Sequence, residues 1–527
     1  MSASVDSLSH FRARLGDEQV LDSLEQRQFF AQDVYRRGVT PELVLRPRST
    51  ADVQALVQVA RQTRTALHVR GGGMSYTDAF LPWKSESAVV DLSGLNRIRS
   101  ITPDDLVLTA EAGCTWLQID QALAPHGLRA RFWGPMSGAL STLGGGMSQG
   151  AATFGSARHG TSASAALSFE VVLGTGEVLD TGALSGDSEA YRRSAFFRPY
   201  GPDITGLFTA DAGALGIKTA VTLQLEPRPR ARAALSFAFD DFESLQRATA
   251  AILRSGLATE IFGLETSLAK LVAGEQGLMQ DFNALLSVSR AQGSLGRALT
   301  QAARMALAGR GFLARSQFIG NVLLEGRDAR RLAADADEVR VLVGRDGREV
   351  ANTMAAMVQS TPFPQPMVVG PGGRRLLPLN VILPHSAVSG FHKDFEVLRE
   401  RHQARCQELG VLLFMVFAGI GPSCVLHEPV IYWQDEWLPL HAATLDDSLR
   451  EWVKPAADHP KARDYVEALR LELVALMAKH QGAHLQIGRA YPYLKARNPV
   501  FKDRLVALKD WADPDGILNP GALGLGV

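Results

Sequence analysis

The sequence predicts an α+β protein built from two unlike parts. Three observations carry this reading. Up to residue 227, short apolar runs alternate with short helical patterns, and three glycine-rich stretches interrupt them. Beyond Pro227 and Pro229 the pattern changes to long helical segments among short strands. The chain has 527 residues, more than one hydrophobic core normally organises.

Each element follows from local pattern. Ser49-Thr50-Ala51-Asp52 offers helix caps, and Val53, Leu56, Val57 and Ala60 then fall at helical spacing. Thr65–Val69, Ala88–Leu92 and Val107–Ala112 read as strands, and Trp116–Leu123 as a helix. Strands follow at Ser168–Leu173 and Ala220–Leu225. In the second part, Phe242–Leu253, Asp328–Leu342 and Ala462–His480 read as helices and Leu379–Leu383 as a strand. Val411–Ile420 (VLLFMVFAGI) is the longest apolar run. It is too short to span a membrane and suits a buried strand.

Composition excludes several classes. Hydrophobic residues make up 46% and charged residues 21%, ordinary values for a globular protein. The formal net charge is zero, which gives no global attraction to nucleic acid. The first residues, MSASVDSLSHFRARLGDEQ, carry charge early and lack an apolar core, so they do not read as a signal peptide. Residues 1–40 are expected to form a helical extension. Cys114, Cys406 and Cys424 lie far apart without C-x-x-C spacing. Reduced thiols in a cytoplasmic protein are expected, with neither zinc nor an iron–sulfur cluster. Arg290, Arg297 and Arg304 sit seven apart in a stretch without acidic residues. They read either as a solvated helix face or as a docking face for a membrane surface or partner.

The glycine stretches carry the chemistry. The first, LHVRGGGMSYTD (Leu67–Asp78), places three glycines where a strand ends. It reads as a turn, or as a cradle in which backbone N–H groups approach an anion. The second runs from Gly134 to Gly160, GPMSGALSTLGGGMSQGAATFGSARHG, and the third from Pro202 to Thr219, PDITGLFTADAGALGIKT. None opens a long helix as G-x-G-x-x-G, and none ends in the lysine–serine pair of a P-loop, so nicotinamide and ATP sites are disfavoured.

Taken in order, the three stretches resemble the vanillyl-alcohol oxidase or p-cresol methylhydroxylase type of FAD-linked oxidoreductases. Arg70-Gly71-Gly72-Gly73-Met74-Ser75 looks like the loop that wraps the pyrophosphate. Thr142-Leu143-Gly144-Gly145 matches a T-x-G-G core, and Phe154-Gly155 with His159-Gly160-Thr161 matches a Y-G…H-G-T tail. The third stretch is similar to the D-lactate and glycolate dehydrogenase branch, and the closing Ile517-Leu518-Asn519-Pro520-Gly521 is a family-like ending.

The resemblance implies a two-subdomain FAD-binding domain over 41–230, an α+β cap over 231–480, and a C-terminal segment, 481–527, returning to the FAD domain. The implied cofactor contacts are Arg70, Gly71, Gly72, Gly73, Met74, Ser75, Tyr76, Pro135, Ser141, Thr142, Gly144, Gly145, Gly150, Phe154, Gly155, His159, Gly160, Gly213, Gly216, Ile217 and Asn519.

The sequence also departs from the family pattern. Many relatives attach the flavin through a histidine in R-G-G-G-H-S. Met74 stands there, and a thioether is not the usual attachment nucleophile, so no covalent link is expected at this position. The G-E-H-G-I-G of the D-lactate branch appears as Gly482-Ala483-His484-Leu485-Gln486-Ile487-Gly488, and the paired metal-binding histidines are missing. No metal is expected.

Oxidising an alcohol carbon needs a base for the hydroxyl proton, and an acid substrate also needs a cation for its carboxylate. His427 and His484 are base candidates because imidazole titrates near neutrality, although a lone histidine is more often structural. Arg489 is the candidate anion anchor or an interdomain ion pair. Tyr491 and Tyr493 could stabilise a phenolate with it, or pack as aromatic rings. Two substrate readings stand. A 2-hydroxy acid or related alcohol is favoured by the third glycine stretch. A para-substituted phenol is favoured by RAYPY (Arg489–Tyr493). A non-catalytic flavin-binding protein is a third class. The expected electron acceptor is O2 or a redox partner, and a homo-oligomer is expected.

Overall fold

The structure is a computed structural model, and it describes residues 4–183, 195–275, 316–360, 363, 368–445 and 453–526. The arginine stripe Arg290, Arg297 and Arg304 lies outside the described residues. Three sheets organise the described residues.

The first sheet holds β1 (Val20–Leu21), β2 (Leu43–Leu45), β3 (Ala66–Arg70) and β4 (Ser87–Asp91), in the order β1-β2-β4-β3. Strands β2, β4 and β3 run parallel, so the connection between β2 and β3 must cross over. The helix Thr50–Thr63 makes that crossover. Ser49 caps it by accepting the Asp52 N–H at 3.1 Å, and Val53, Leu56, Val57 and Ala60 bury its inner stripe.

The second sheet is antiparallel. It contains β5 (Ile98–Thr102), β6 (Val107–Glu111), β7 (Leu128–Ala130), β8 (Ala166–Val172), β9 (Val178–Asp180) and β10 (Ile217–Pro227). The order is β5-β6-β10-β8-β9, with β7 also on β10. The central β10 is buried on both faces over its first seven residues. The helix Trp116–Leu123 starts at a capping box between Thr115 and Gln118.

The third and largest sheet holds β11 (Ala231–Phe239), β12 (Glu260–Glu265), β13 (Phe318–Gly326), β14 (Arg348–Val350), β15 (Arg375–Pro378), β16 (Val381–Pro384), β17 (Leu412–Ile420) and β18 (Cys424–Trp433). Its order is β14-β11-β13-β12-β17-β18-β15, with β16 also on β18. One face packs under the helices Phe242–Ser255, Ala329–Val343, His385–Leu409 and Pro460–Lys479, forming the largest core of the molecule. The other face turns inward, toward the glycine loops.

That second face explains a difference from expectation. Val411–Ile420 reads as a fully buried strand, but β17 alternates. Leu413, Met415 and Phe417 are buried among the helices, while Leu412, Phe414, Val416, Ala418 and Ile420 are only half-buried. A strand apolar on both faces does not show in its sequence which face is packed.

Both chain ends are woven into the fold. Residues before 41 carry the helices Ser4–Leu15 and Leu24–Phe30, yet they also give the edge strand β1 and a bridge between Gln32 and Arg37. At the other end the Leu67 N–H donates to the Ile517 carbonyl and the Asn519 N–H to the Leu67 carbonyl, both at 2.8 Å. The C-terminal segment thus lies alongside β3. No helix among the described residues is long and apolar enough to cross a membrane.

Candidate active site

All three glycine stretches meet at one cleft, part of it open to solvent. The first stretch contributes Gly71, Gly72, Gly73, Met74 and Ser75. The second contributes Pro135, Ser141, Thr142, Gly144 and Gly145. The third contributes Gly213 and Gly216.

The glycines are needed because the loops touch. A Cβ on Gly71 would overlap Thr142 Oγ1, one on Gly72 would overlap the Leu140 carbonyl, and one on Gly144 would lie 2.7 Å from Ala112 Cβ. Gly73 has φ 78°, in the left-handed region that glycine favours. Backbone therefore forms much of the wall, and a wall of backbone can bring several N–H donors to an anionic ligand.

Other implied contacts support the cleft from outside its lining. Arg70 is buried beneath its own loop, donating to the Gly71 carbonyl and lying over the Phe30 and Phe80 rings. Asn519 Nδ2 donates to the carbonyls of Ala79, at 2.8 Å, and Ala212, tying two loops to the C-terminus. Ile217 starts β10 in the core beneath. Gly150 ends the helix Leu143–Gln149 with φ 70°.

The tail of the second stretch points elsewhere. Phe154 stacks on Trp133 with ring centroids 6.1 Å apart. Gly155 donates its N–H, with that of Ser156, to the Glu260 carboxyl of β12. His159, followed by the turn residue Gly160, sits 3.3 Å from Glu226. This tail meets the large sheet and does not line the cleft.

Several lining residues carry no motif. Lys218 reaches the cleft from β10 and is ion-paired at 2.7 Å with the buried Asp211, whose same oxygen accepts the Gly213 N–H. Gln149 and Gln486 also line it. The Gln149 side-chain oxygen is buried without a protein partner, which leaves an acceptor for a ligand N–H. The cradle and this free acceptor suit an extended diphosphate cofactor with a polar ring.

The catalytic candidates are not brought together. His427 lies on the helix-side face of β18, wholly buried against Phe242, Phe391 and Phe417. Burial drives its pKa down to about 3. It is a neutral core residue on the helix-covered face, away from the cleft. His484 stacks on Tyr491 at 3.9 Å, and its Nδ1 lies 2.7 Å from the Asn380 carbonyl. Arg489 donates to the carbonyls of Leu81 and, at 2.8 Å, Pro520. Its fork closes the chain rather than holding an anion.

The two tyrosines of RAYPY also diverge. The Tyr491 hydroxyl accepts the Asn380 N–H at 2.7 Å in the large core. Tyr493 packs with Phe501 and Arg497 near the C-terminal helix. In place of His484, the neighbouring Gln486 reaches the cleft.

The inward face of the large sheet holds what the sequence reading missed. Glu428 is paired across the ladder with Val416, among Phe414, Val430 and Tyr432. Protein surrounds it on every side, yet part of its surface stays accessible. Burial alone raises its pKa to about 7. Tyr76, from the first glycine loop, packs against the same patch. Its phenol is pushed up by burial and then by the Glu428 charge. Tyr432 is raised to about 12 by burial and by Glu428. A strand period of two, counted from His427, places Glu428 and Tyr432 on one face and His427 on the other. Among the described residues no three His, Cys, Asp or Glu side chains gather as a metal site.

Comparison with known proteins agrees with this geometry. Residues 41–182 match the family model of an FAD binding domain. The chain is 28% identical over 219 residues to the glycolate oxidase subunit GlcD of Escherichia coli K12, covering 41% of each chain. It is 25% identical over 237 residues to the mitochondrial D-lactate dehydrogenase [cytochrome] 1 of Saccharomyces cerevisiae, covering 44% of this chain and 38% of that one. The matches thus span less than half the length of these curated relatives.

Two solved structures share the fold over nearly the whole chain. One is p-cresol methylhydroxylase with substrate bound, with TM-score 0.72, 18% identity, and coverage of 100% of this chain and 98% of that one. The other is 4-ethylphenol oxidase from Gulosibacter chungangensis, with TM-score 0.71, 18% identity, and coverage of 99% and 97%. Residues 41–182 thus carry an FAD binding domain with a glycine-walled cleft, and the chain shares the fold of p-cresol methylhydroxylase and 4-ethylphenol oxidase.

Proposed function

We propose that this chain oxidises a small, uncharged hydroxylated substrate, an alcohol or a phenol, on the inward face of the large sheet. The observation that carries the reading is Glu428, a carboxyl set in an apolar patch of that face, poised near neutrality and accompanied by Tyr76 and Tyr432. A general base works best when its pKa lies near the working pH.

The glycine loops would hold the cofactor's diphosphate through backbone donors, and Gln149 would offer its free oxygen as an acceptor in the same cleft. FAD bound there supplies a two-electron acceptor. Met74 offers no ordinary nucleophile for attachment, so the flavin is held without a bond to this loop. Glu428 takes the substrate's hydroxyl proton. Tyr76 and Tyr432, kept protonated by burial, donate hydrogen bonds to the substrate oxygen. Phe414, Val416 and Leu412 give the rest of the substrate an apolar bed and exclude water.

A second reading keeps the 2-hydroxy acid. The sequence similarity to D-lactate dehydrogenase and to a glycolate oxidase subunit favours it. It needs a cation for the carboxylate, whereas the guanidinium of Arg489 and the ammonium of Lys218 are already engaged.

Anaerobic bleaching of the flavin separates the two. Neutral benzylic alcohols and para-alkyl phenols are expected to bleach it, while D-lactate and glycolate leave it yellow. The reverse pattern overturns the uncharged-substrate reading. Bound flavin that no substrate bleaches points to the non-catalytic class.

A further inference from the structure

Residues Gln32–Arg37 form a short tongue between the first glycine loop and the large sheet, closed by the bridge between its ends. Toward the loop, the Val34 N–H donates to the Ser75 carbonyl at 3.0 Å. Asp33 Oδ2 accepts the Asp78 N–H at 3.1 Å. Arg36 grips the Asp78 carboxylate with Nε and Nη2, both at 2.7 Å.

Toward the cap, the Tyr35 hydroxyl donates to Glu467 at 2.6 Å, and Arg375 donates to the Tyr35 carbonyl. His441 Nδ1 accepts the Leu438 N–H, so its Nε2 carries the proton that bonds the Val34 carbonyl at 2.8 Å.

The segment so held is the turn that carries Tyr76. Asp78 ends it with φ 57°, a left-handed conformation that costs energy outside glycine and needs support from its surroundings. Asp33 is fully buried, and its Oδ1 accepts the N–H groups of Tyr35 and Arg36, both at 2.8 Å. One carboxyl therefore shapes the tongue with one oxygen and holds the loop with the other.

We propose that Asp33 and Arg36 are positioning residues for Tyr76: they lock Ser75–Asp78 against the cap so that the phenol faces Glu428. This rests on the reading that Tyr76 and Glu428 meet the substrate. The cradle glycines Gly71–Gly73 lie upstream of the clamped turn, which shares only Ser75 with the cleft lining, so cofactor affinity and loop order are separable.

The test uses the FAD-loaded full chain and its Asp33→Asn variant. Asparagine places an NH2 group against one of the N–H donors that aspartate accepts. Amide hydrogen exchange over residues 74–79 is expected to accelerate at least about tenfold, while residues 66–71 stay within about twofold. The FAD Kd stays within about threefold, since the cradle is untouched. Turnover should show kcat down about tenfold with KM little changed. In a Tyr76→Phe background Asp33→Asn should then cost nothing further, because both act through one group.

Unchanged exchange over 74–79, additive effects of the two substitutions, or loss of FAD binding each overturn the proposal. If the wild type turns over no substrate, the functional reading fails, and the exchange arm still decides whether the tongue orders the loop. Where Asp33→Asn fails to fold, Arg36→Met carries the same exchange test.

Discussion

Two surfaces meet at the first glycine loop, and they are built from different materials. The glycine loops make a wall of backbone, in which side chains are removed so that chain can meet chain and N–H groups can meet a diphosphate. The inward face of the large sheet is a wall of side chains, in which Glu428 and two tyrosines sit within an apolar patch. The difference teaches where generality and specificity lie. Backbone donors are the same in every residue, so the first wall suits any protein that holds this cofactor. The second wall differs with each side chain, and under the proposed function it is the one that selects the substrate.

The sharpest way to break the comparison is to put a side chain into the backbone wall. Gly72→Val would drive its Cβ into the Leu140 carbonyl. FAD affinity is expected to fall by about a thousandfold or more, leaving a colourless protein in a flavin titration. A variant that still purifies yellow would show that the loops can part without cost.

Removing the charge from the other wall should spare binding and stop chemistry. Glu428→Gln is expected to lower kcat by about a hundredfold or more, the usual range for a general base, with FAD affinity unchanged. Its neighbour gives the contrast. His427→Leu replaces a buried neutral ring among Phe242, Phe391 and Phe417, and kcat should stay within about threefold. Measured side by side, the two adjacent substitutions test which face of β18 meets the substrate.

The smallest effect is on stability, at the seam between the walls. Glu260 is wholly buried on β12, and burial raises its pKa to about 8 although the Ser156 and Gly155 N–H groups oppose this. Its unfolded value is 4.5. Between these values the folded chain holds a proton that the unfolded chain has lost, so stability falls as pH rises. The contribution is full below about pH 4.5 and gone above about pH 8. Glu428, raised to about 7, acts in the same direction. Glu260→Gln should shrink the Tm loss between pH 5 and pH 9 by roughly 2–4 °C in a thermal melt. An unaltered pH slope would mean that Glu260 is ionised in place.

The first wall was legible because its demand is local. Gly71, Gly72, Thr142, Gly144 and Gly213 stand out in the sequence and meet at one cleft, since a backbone that must approach another backbone has to drop its Cβ wherever it sits in the fold. The helix starts at Ser49 and Thr115 were equally readable, because a cap involves residues only three apart. Motif and geometry parted at the tail of the second stretch. Phe154, Gly155 and His159 carry the family pattern but turn toward Trp133, Glu260 and Glu226.

The sequence by itself determined the glycine cradle, the absence of a histidine tether at Met74, and the change of pattern after Pro229. Tertiary structure alone decided which residues of CVLHEPVIYW and HLQIGRAYPY reach the site. In a strand the choice between His427 and Glu428 depends on which face the helices cover, and an apolar β17 gives no sign of it. In the C-terminal segment, Arg489 meets the carbonyls of Leu81 and Pro520 only because chain ends hundreds of residues apart are laid side by side. A short stretch states what its own backbone needs. Which way a side chain faces is set by whatever packs on the other side.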